Sequence, residues 1–142
     1  MRRCAGLTLI ELLVVIVLLA LAAGMAGTGI AQGLQASRER QVVRDMVYAL
    51  RHTRSEAVLA NAPQLLRLNL QERWYGAPGQ PRRSWPESLQ VRLLTATRLG
   101  SAVAFYPDGS SSGGHLLIVR GERKWRIDIS WLTGDVRSTV LP

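Results

Sequence analysis

The sequence predicts an α+β fold in which one long N-terminal helix packs on antiparallel β-sheets. Residues 12–31 contain no charged side chain. Residues 32–60 contain no proline and place apolar side chains three or four positions apart, which is typical of a helix. Beyond Pro63 the apolar residues alternate in short runs between glycine- and proline-rich turns, which indicates strands. At 142 residues, the chain has room for one anchor and one ordinary single-core domain.

The first part of the predicted helix is long enough to cross a membrane. Twenty uncharged residues at about 1.5 Å rise each match a hydrocarbon core of about 30 Å. We therefore expect a transmembrane helix in this part of the chain, followed by a domain on the periplasmic side. Arg2 and Arg3 favour a cytoplasmic N-terminus, and the arginines beyond the segment oppose it less strongly.

Glu11 is the one ionisable residue of this apolar run. A carboxylate inside a membrane helix costs about 2.5–3.5 kcal/mol on insertion scales, so a chain that keeps one there is expected to provide a partner for it. A signal anchor that leaves Glu11 wet at the interface is the other interpretation. Cleavage behind the run, at the weak small-residue pattern of Ala20, Ala22 and Ala23, also stays open.

The order of these residues resembles the class III signal of type IV pilins and of the pseudopilins of type II secretion. A short basic leader ends in Gly6, an apolar run follows, and Glu11 comes five residues after the glycine. The resemblance implies that a prepilin peptidase cleaves after Gly6 and methylates the new amino group of Leu7. It therefore implies a leader over residues 1–6, a transmembrane helix over residues 7–31 and a periplasmic domain over residues 32–142. It also implies that Glu11 pairs with a neighbouring subunit's N-terminal amine during assembly. Leu7 stands where that family usually has phenylalanine, which we interpret as a variant.

The helix is expected to continue to about Ala60 as one spine of roughly 80 Å. An apolar stripe is predicted at Leu34, Val43, Met46, Val47, Leu50, Ala57 and Val58. A solvated face is predicted at Arg38, Glu39, Arg40, Arg44, Asp45, Arg51, Arg54 and Glu56. Pro63 is expected to stop the helix, because the residue before a proline is pushed out of helical geometry.

Short strands are predicted through the rest of the chain, over residues 64–70, 87–94, 101–106, 115–120, 123–131 and 136–141. The run 123–131 alternates most clearly, with Trp125, Ile127 and Ile129 predicted to face inward. Six or so strands at this spacing favour antiparallel sheets packed on the upper helix.

The C-terminal half carries a second resemblance. Ala104-Phe105-Tyr106-Pro107-Asp108-Gly109 through Gly114, an apolar strand, and then Ile127 through Val136 resemble the H-type minor pseudopilin, a family that also includes FimT-like minor pilins. Residues 71–100 match nothing in that pattern. The resemblance implies a long N-terminal helix against antiparallel sheets, in agreement with the fold predicted above. The loop formed by Asp108, Gly109, Ser110, Ser111 and Ser112 either contacts a partner or simply turns.

The composition gives no support for an enzyme or a metal protein. The only cysteine, Cys4, lies in the leader, so the processed chain has neither a disulfide nor a thiol nucleophile. The glycine-rich run at residues 109–114 lacks the Gly-Lys-Ser/Thr ending of a phosphate-binding loop. Two histidines and scattered aspartates match no zinc or calcium spacing. We expect no cofactor and no catalytic residues.

The charge leaves one rival function open. The formal net charge is +8, and it falls to +6 once Arg2 and Arg3 leave with the leader. Basic residues beside tryptophans can bind phosphates and stack bases, so a FimT-like pilin that binds DNA is an alternative, with candidate contacts at Arg120, Arg123, Lys124 and Arg126. A basic face for an acidic partner subunit, or an arginine-rich composition without function, explains the same charge.

The leading hypothesis is a minor pseudopilin of a type II secretion system, near the tip of the pseudopilus, that helps export folded proteins. The partners implied by the resemblance are major and minor pseudopilins, the prepilin peptidase, inner-membrane lipid and the inner-membrane assembly platform, with DNA a partner only under the alternative. The implied location is the inner membrane, crossed once, and the pseudopilus after assembly. A membrane-anchored domain that keeps its leader is a third possibility.

Overall fold

The computed structural model describes residues 8–95 and 99–142, without the side chains of residues 25–36. The chain divides into two compact units, Met1–Arg38 and Glu39–Pro142. The predicted cleavage and methylation sites, Gly6 and Leu7, lie outside the described residues.

One helix, α1, covers Leu9–Leu59. Thr8 caps its beginning, since the Thr8 Oγ1 accepts a hydrogen bond from the Glu11 backbone N–H at 3.3 Å. At the other end, the amide of Ala62 donates to the carbonyl of Ala57 and the amide of Asn61 to that of Val58. Asn61 adopts a positive φ of 47°, and these bonds form a Schellman motif. The helix therefore ends near the predicted position, but a left-handed asparagine closes it and Pro63 only follows.

Eight strands follow the helix and form two antiparallel sheets. Their bounds are β1 Gln64–Asn69, β2 Trp74–Gly76, β3 Arg83–Ser84, β4 Gln90–Leu94, β5 Ala102–Phe105, β6 Gly114–Arg120, β7 Arg123–Ile129 and β8 Val136–Leu141. The first sheet has the order β3-β2-β1-β5 and the second has the order β4-β6-β7-β8. The predicted α+β class and antiparallel pairing are confirmed.

The core of the second unit joins the helix to the inner faces of both sheets. Met46 and Leu50 come from α1, Phe105 comes from the first sheet, and Ile118 and Ile127 come from the second. The inward alternation predicted for Trp125, Ile127 and Ile129 is confirmed. Burial of the apolar side chains, at about 25 cal/mol per Å², is the main force that holds this layer of helix and sheets together.

The prediction that Glu39 belongs to the solvated face is wrong. Glu39 is 1% exposed and its carboxylate pairs with Arg120 of β6. Thr53, which the predicted stripe omitted, is also buried, and its hydroxyl donates to the carbonyl of Ala49 one turn earlier. The Thr53 hydroxyl has a backbone partner and the Glu39 charge has the Arg120 guanidinium beside it, and helical periodicity alone reveals neither partner.

Two short strands, β2 and β3, lie between residues 71 and 86, where the sequence predicted no strand. Their runs of three and two residues are too short to show an alternating pattern. Tyr75 and Trp85 fix the segment, because both rings are buried and stacked, with centroids 6.2 Å apart. The core therefore extends through a region whose sequence resembles a loop.

Candidate assembly and partner sites

The first unit presents an apolar helical surface with a single carboxylate. Every described side chain from Thr8 to Gly24 is exposed, including Leu9 at 84% and Leu21 at 61%. A helix that is apolar on all sides needs a covering of lipid or protein. In the described parts of the chain, no helix is long and apolar enough to cross a membrane.

Glu11 is exposed on this surface. No described cationic group lies within 4 Å of its carboxylate. Its backbone N–H is bound by Thr8, three residues earlier, and the sequence Thr8-Leu9-Ile10-Glu11 has the residue pattern of a capping box. The spacing of Thr8 and Glu11 is the sequence signal for this local role. It places Glu11 in the first turn of α1, where the helix dipole favours a negative charge.

The loop after β5 is held mostly by contacts within the domain. Asp108 closes it by accepting hydrogen bonds from the Ser110 hydroxyl at 2.6 Å and the Ser110 amide at 3.0 Å, and these bonds lower the pKa of Asp108. Ser111 is buried, and its hydroxyl donates to the carbonyl of Ser130. The Ser112 Oγ accepts from the Ala104 amide. Of the five predicted contact residues, Asp108 is exposed, Ser110 and Ser112 are half-buried, and Gly109 and Ser111 are buried.

The two C-terminal motifs meet at one residue of the helix. The Arg54 Nε–H donates to the carbonyl of Gly109 at 3.0 Å. The turn between β7 and β8 lies against the same group. A Cβ added to Gly134 would collide with the Gly109 oxygen and would lie 2.8 Å from the Arg54 Nε. Gly109 of the first motif and Gly134 of the second therefore pack together at Arg54, a contact that the sequence resemblance did not reveal.

The four residues proposed for DNA do not form one free basic surface. Arg120 reaches Glu39 across the inner side of the second sheet, and the Arg126 Nε donates to Asp128 at 2.7 Å. Arg123 and Lys124 are exposed, but as consecutive residues of β7 they point to opposite faces. The structure therefore brings Arg120 and Arg126 into ion pairs and separates the other two.

An arginine–tryptophan pair lies in the segment that the sequence analysis left unexplained. The Arg82 guanidinium stacks over the Trp74 ring, 4.3 Å from its centroid, and the Trp74 indole N–H donates to Glu72 at 2.7 Å. Arg67 and Trp74 line two adjoining surface grooves. Arg82 thus covers one face of the Trp74 ring, and Glu72 holds its indole N–H edge. In the sequence, only the closeness of an arginine and a tryptophan pointed to this contact.

A metal site receives no support from the described residues, where no three histidine, cysteine, aspartate or glutamate side chains gather. His52 instead shares a 2.9 Å hydrogen bond between its Nδ1 and the Gln80 side chain. Asp135 is paired with Arg137 at 2.8 Å, a contact that lowers the pKa of Asp135.

Two protein families match separate parts of the chain. Residues 1–27 match the prokaryotic N-terminal methylation motif, and residues 42–134 match the type II transport protein GspH. Type II secretion system protein H of Xanthomonas campestris pv. campestris is 34% identical over 145 residues, which cover 99% of this chain and 86% of that protein.

A solved structure shares the fold. The minor pseudopilin EpsH from the type 2 secretion system of Vibrio cholerae aligns with a TM-score of 0.59 at 14% identity, over 71% of this chain and 95% of EpsH. This likeness shows the arrangement of an N-terminal helix on antiparallel sheets and nothing finer.

Proposed function

Because the chain belongs to the type II transport protein GspH family and is a minor pseudopilin of a type II secretion system, we propose that it occupies the tip region of the pseudopilus. There it contacts major and other minor pseudopilins and helps to push folded proteins through the outer membrane. The role is mechanical and involves no catalytic step. The observation that carries the proposal is the exposed apolar helix from Leu9 to Ala23 with one carboxylate, Glu11.

Before assembly, the protein is proposed to cross the inner membrane once, with residues 7–31 in lipid. The match of residues 1–27 to the N-terminal methylation motif supports this arrangement. Prepilin peptidase would cleave after Gly6 and methylate Leu7, and the basic residues Arg2 and Arg3 would keep the leader on the cytoplasmic side. Intact mass of the membrane-extracted protein tests this step. Loss of residues 1–6 with one added methyl group is expected, and a retained leader would overturn it.

Glu11 is proposed to set the axial position of the subunit. A lone carboxylate and a lone ammonium are both costly in lipid, and pairing the Glu11 carboxylate with a neighbour's N-terminal amine recovers part of both penalties. Only one stagger between neighbouring helices brings these groups together. The pair would therefore fix the axial position of each subunit relative to its neighbour when the subunit enters the fibre at the assembly platform. We call this the register role of Glu11.

The register is tested with Glu11→Ala, Glu11→Asp and Ile10→Ala in a strain that lacks the wild-type gene. Glu11→Ala is expected to be inserted and processed normally but to co-purify poorly with the other pseudopilins. Glu11→Asp, which keeps the charge, should recover part of the co-purification. Ile10→Ala, a neutral change one residue away, is the matched control. Normal co-purification of Glu11→Ala would contradict the register role.

The DNA-binding alternative is separated from secretion by a clean deletion. Release of exoproteins and natural transformation are measured in parallel, with wild-type and Glu11→Ala complementation. We expect lost secretion with normal DNA uptake. Lost DNA uptake with normal secretion would show that the basic residues serve a pilus and that the proposed role in the pseudopilus is wrong.

A further inference from the structure

The last strand, β8, is an open edge of the second sheet. It pairs only with β7 in the described part of the chain, and residues 137–140 are exposed. Its first residue is held by the helix, since the Arg51 Nη2 donates to the Val136 carbonyl at 2.7 Å. Further along, Val140 is 69% exposed although its register partner on β7 is Trp125, which is buried. An unprotected edge of this kind is a template for another strand.

A groove of about 500 Å³ opens between this edge and the helix. The apolar part of its lining is Val43 of α1, Trp125 of β7 and Val140 of β8. The charged part of the lining is three arginines, Arg40, Arg44 and Arg123. Arg40, Val43 and Arg44 face the groove together because residues three and four apart share one side of a helix.

The three arginines of the groove carry charge that the described residues do not neutralise. None of them has a described carboxylate within 4 Å, whereas Glu39 pairs with Arg120 and Asp45 with Arg83. The Arg44 guanidinium donates to the neutral amide oxygen of Gln41, at 2.8 Å, and the described residues offer it no carboxylate. A partner that fits here needs negative charge beside the arginines and apolar groups over Val43 and Val140.

We propose that this groove binds an extended acidic segment of a partner protein, which adds as a strand to the edge of β8. Its backbone would bond to residues 138–141. Val140, Trp125 and Arg123 all lie on the inner side of the sheet, which faces α1. The inward-facing side chains of the segment would therefore include both kinds of group: apolar ones over Val140 and Trp125, and carboxylates paired with the three groove arginines. Such strand addition takes affinity from main-chain hydrogen bonds and specificity from alternate side chains.

Duplex DNA and an anionic membrane fit the groove less well than a peptide does. Both supply phosphates, but neither supplies backbone groups for a strand edge nor side chains for the apolar lining. The inference rests on the proposed function, because it identifies the surface by which the subunit meets a partner. Its test measures peptide binding and not secretion, so the inference about the groove and the proposed function can fail separately.

The probe is the synthetic peptide Ser-Val-Ser-Glu-Ser-Val-Ser-Glu, in which the valines and glutamates share one face of a strand. The same peptide with lysine in place of glutamate is the charge control. Full-length protein in non-ionic detergent is titrated with the labelled peptide by fluorescence anisotropy. Hydrogen exchange of the complex is then measured along β8. Binding of the acidic peptide alone, with slowed exchange at residues 138–141, is the expected result.

Two sets of arginine variants distinguish binding at the groove from binding caused by the overall positive charge of the protein. Arg40→Gln, Arg44→Gln and Arg123→Gln combined should weaken binding about tenfold, as the loss of three exposed ion pairs would. The matched control, Arg92→Gln, Arg126→Gln and Arg137→Gln combined, removes the same charge from the outer face of the same sheet and should change binding less than about twofold. Val140→Glu, a single change at an exposed position, should also weaken binding, because it removes an apolar contact and places a carboxylate beside the acidic peptide.

Several results would overturn the proposal. These are no binding of the acidic peptide, equal loss in the two triple variants, or protection from exchange at another strand. Binding of phosphatidylglycerol vesicles or of a short DNA duplex through the groove arginines, without peptide binding, would assign the groove to phosphates instead.

Discussion

The carboxylate of Glu39 lies 2.5 Å from the Arg120 guanidinium, which joins the helix to the second sheet at the first residue of the compact domain. Glu39 is almost fully buried, and neither of its oxygens accepts a hydrogen bond of ordinary geometry from a described residue. The contact is therefore mainly an attraction between two charges. Because removal of one partner leaves the other charge stranded, such a pair is sensitive to single substitutions.

Arg120→Met is expected to lower the free energy of unfolding by about 2–3 kcal/mol, since it leaves the buried Glu39 carboxylate without its cation. The double variant Glu39→Met with Arg120→Met should recover most of that loss. Arg92→Met, on the exposed outer face, is the control and should stay within about 0.5 kcal/mol of the wild type. Urea unfolding of the four proteins measures the differences. A double variant as unstable as Arg120→Met would contradict the charge argument.

Gly134→Ala is expected to destabilise the domain by about 3 kcal/mol, because the new methyl group would collide with the Gly109 carbonyl and with Arg54. Gly121→Ala is the matched control. Its φ of 53° is close to the 62° of Gly134, but nothing lies within 4 Å of the added Cβ. That variant should show only the backbone cost of about 1 kcal/mol. Equal thermal midpoints for the two variants would show that the contact between the motifs adds no stability.

Tyr75 makes the stability fall at alkaline pH. Burial raises the pKa of Tyr75 to about 12, and Asp45 adds to the effect. The unfolded chain, with a tyrosine pKa near 10, loses its proton first, so this contribution is complete below about pH 10 and is lost as the pH rises towards 12. Between pH 8 and 11, the wild type should lose about 1 kcal/mol more than Tyr75→Phe. Unfolding curves at both pH values measure this, and parallel losses would contradict it.

DNA binding by the candidate residues is expected to be weak. Arg120 and Arg126 are paired with carboxylates, and Arg123 and Lys124 point to opposite faces of the sheet. Titration of the full-length protein with duplex DNA at several salt concentrations should give a log–log slope smaller than about two. Micromolar affinity with a steep slope, reduced by Arg123→Gln with Lys124→Gln, would support the alternative function.

The sequence predicted the elements whose patterns are long or regular. The apolar run with Glu11, the helix ending near Ala60 and the alternation around Ile127 each depend on neighbours in the chain, so periodicity is enough to detect them. The strands β2 and β3 escaped detection because their few residues show no period. Their position depends on the stacked rings of Tyr75 and Trp85, which pack into the common core.

By itself, the sequence determined the class of the protein, the apolar helix with its single carboxylate and the two motifs that mark the C-terminal half. The tertiary structure alone decided what the charged residues do. Glu39 and Arg54 look alike as members of a polar helix face, yet one is buried against Arg120 and the other joins Gly109 to Gly134. The physical reason is that the partners of a charged side chain are the groups that folding brings near it. Those groups lie many residues away in the chain, so local sequence patterns do not show them.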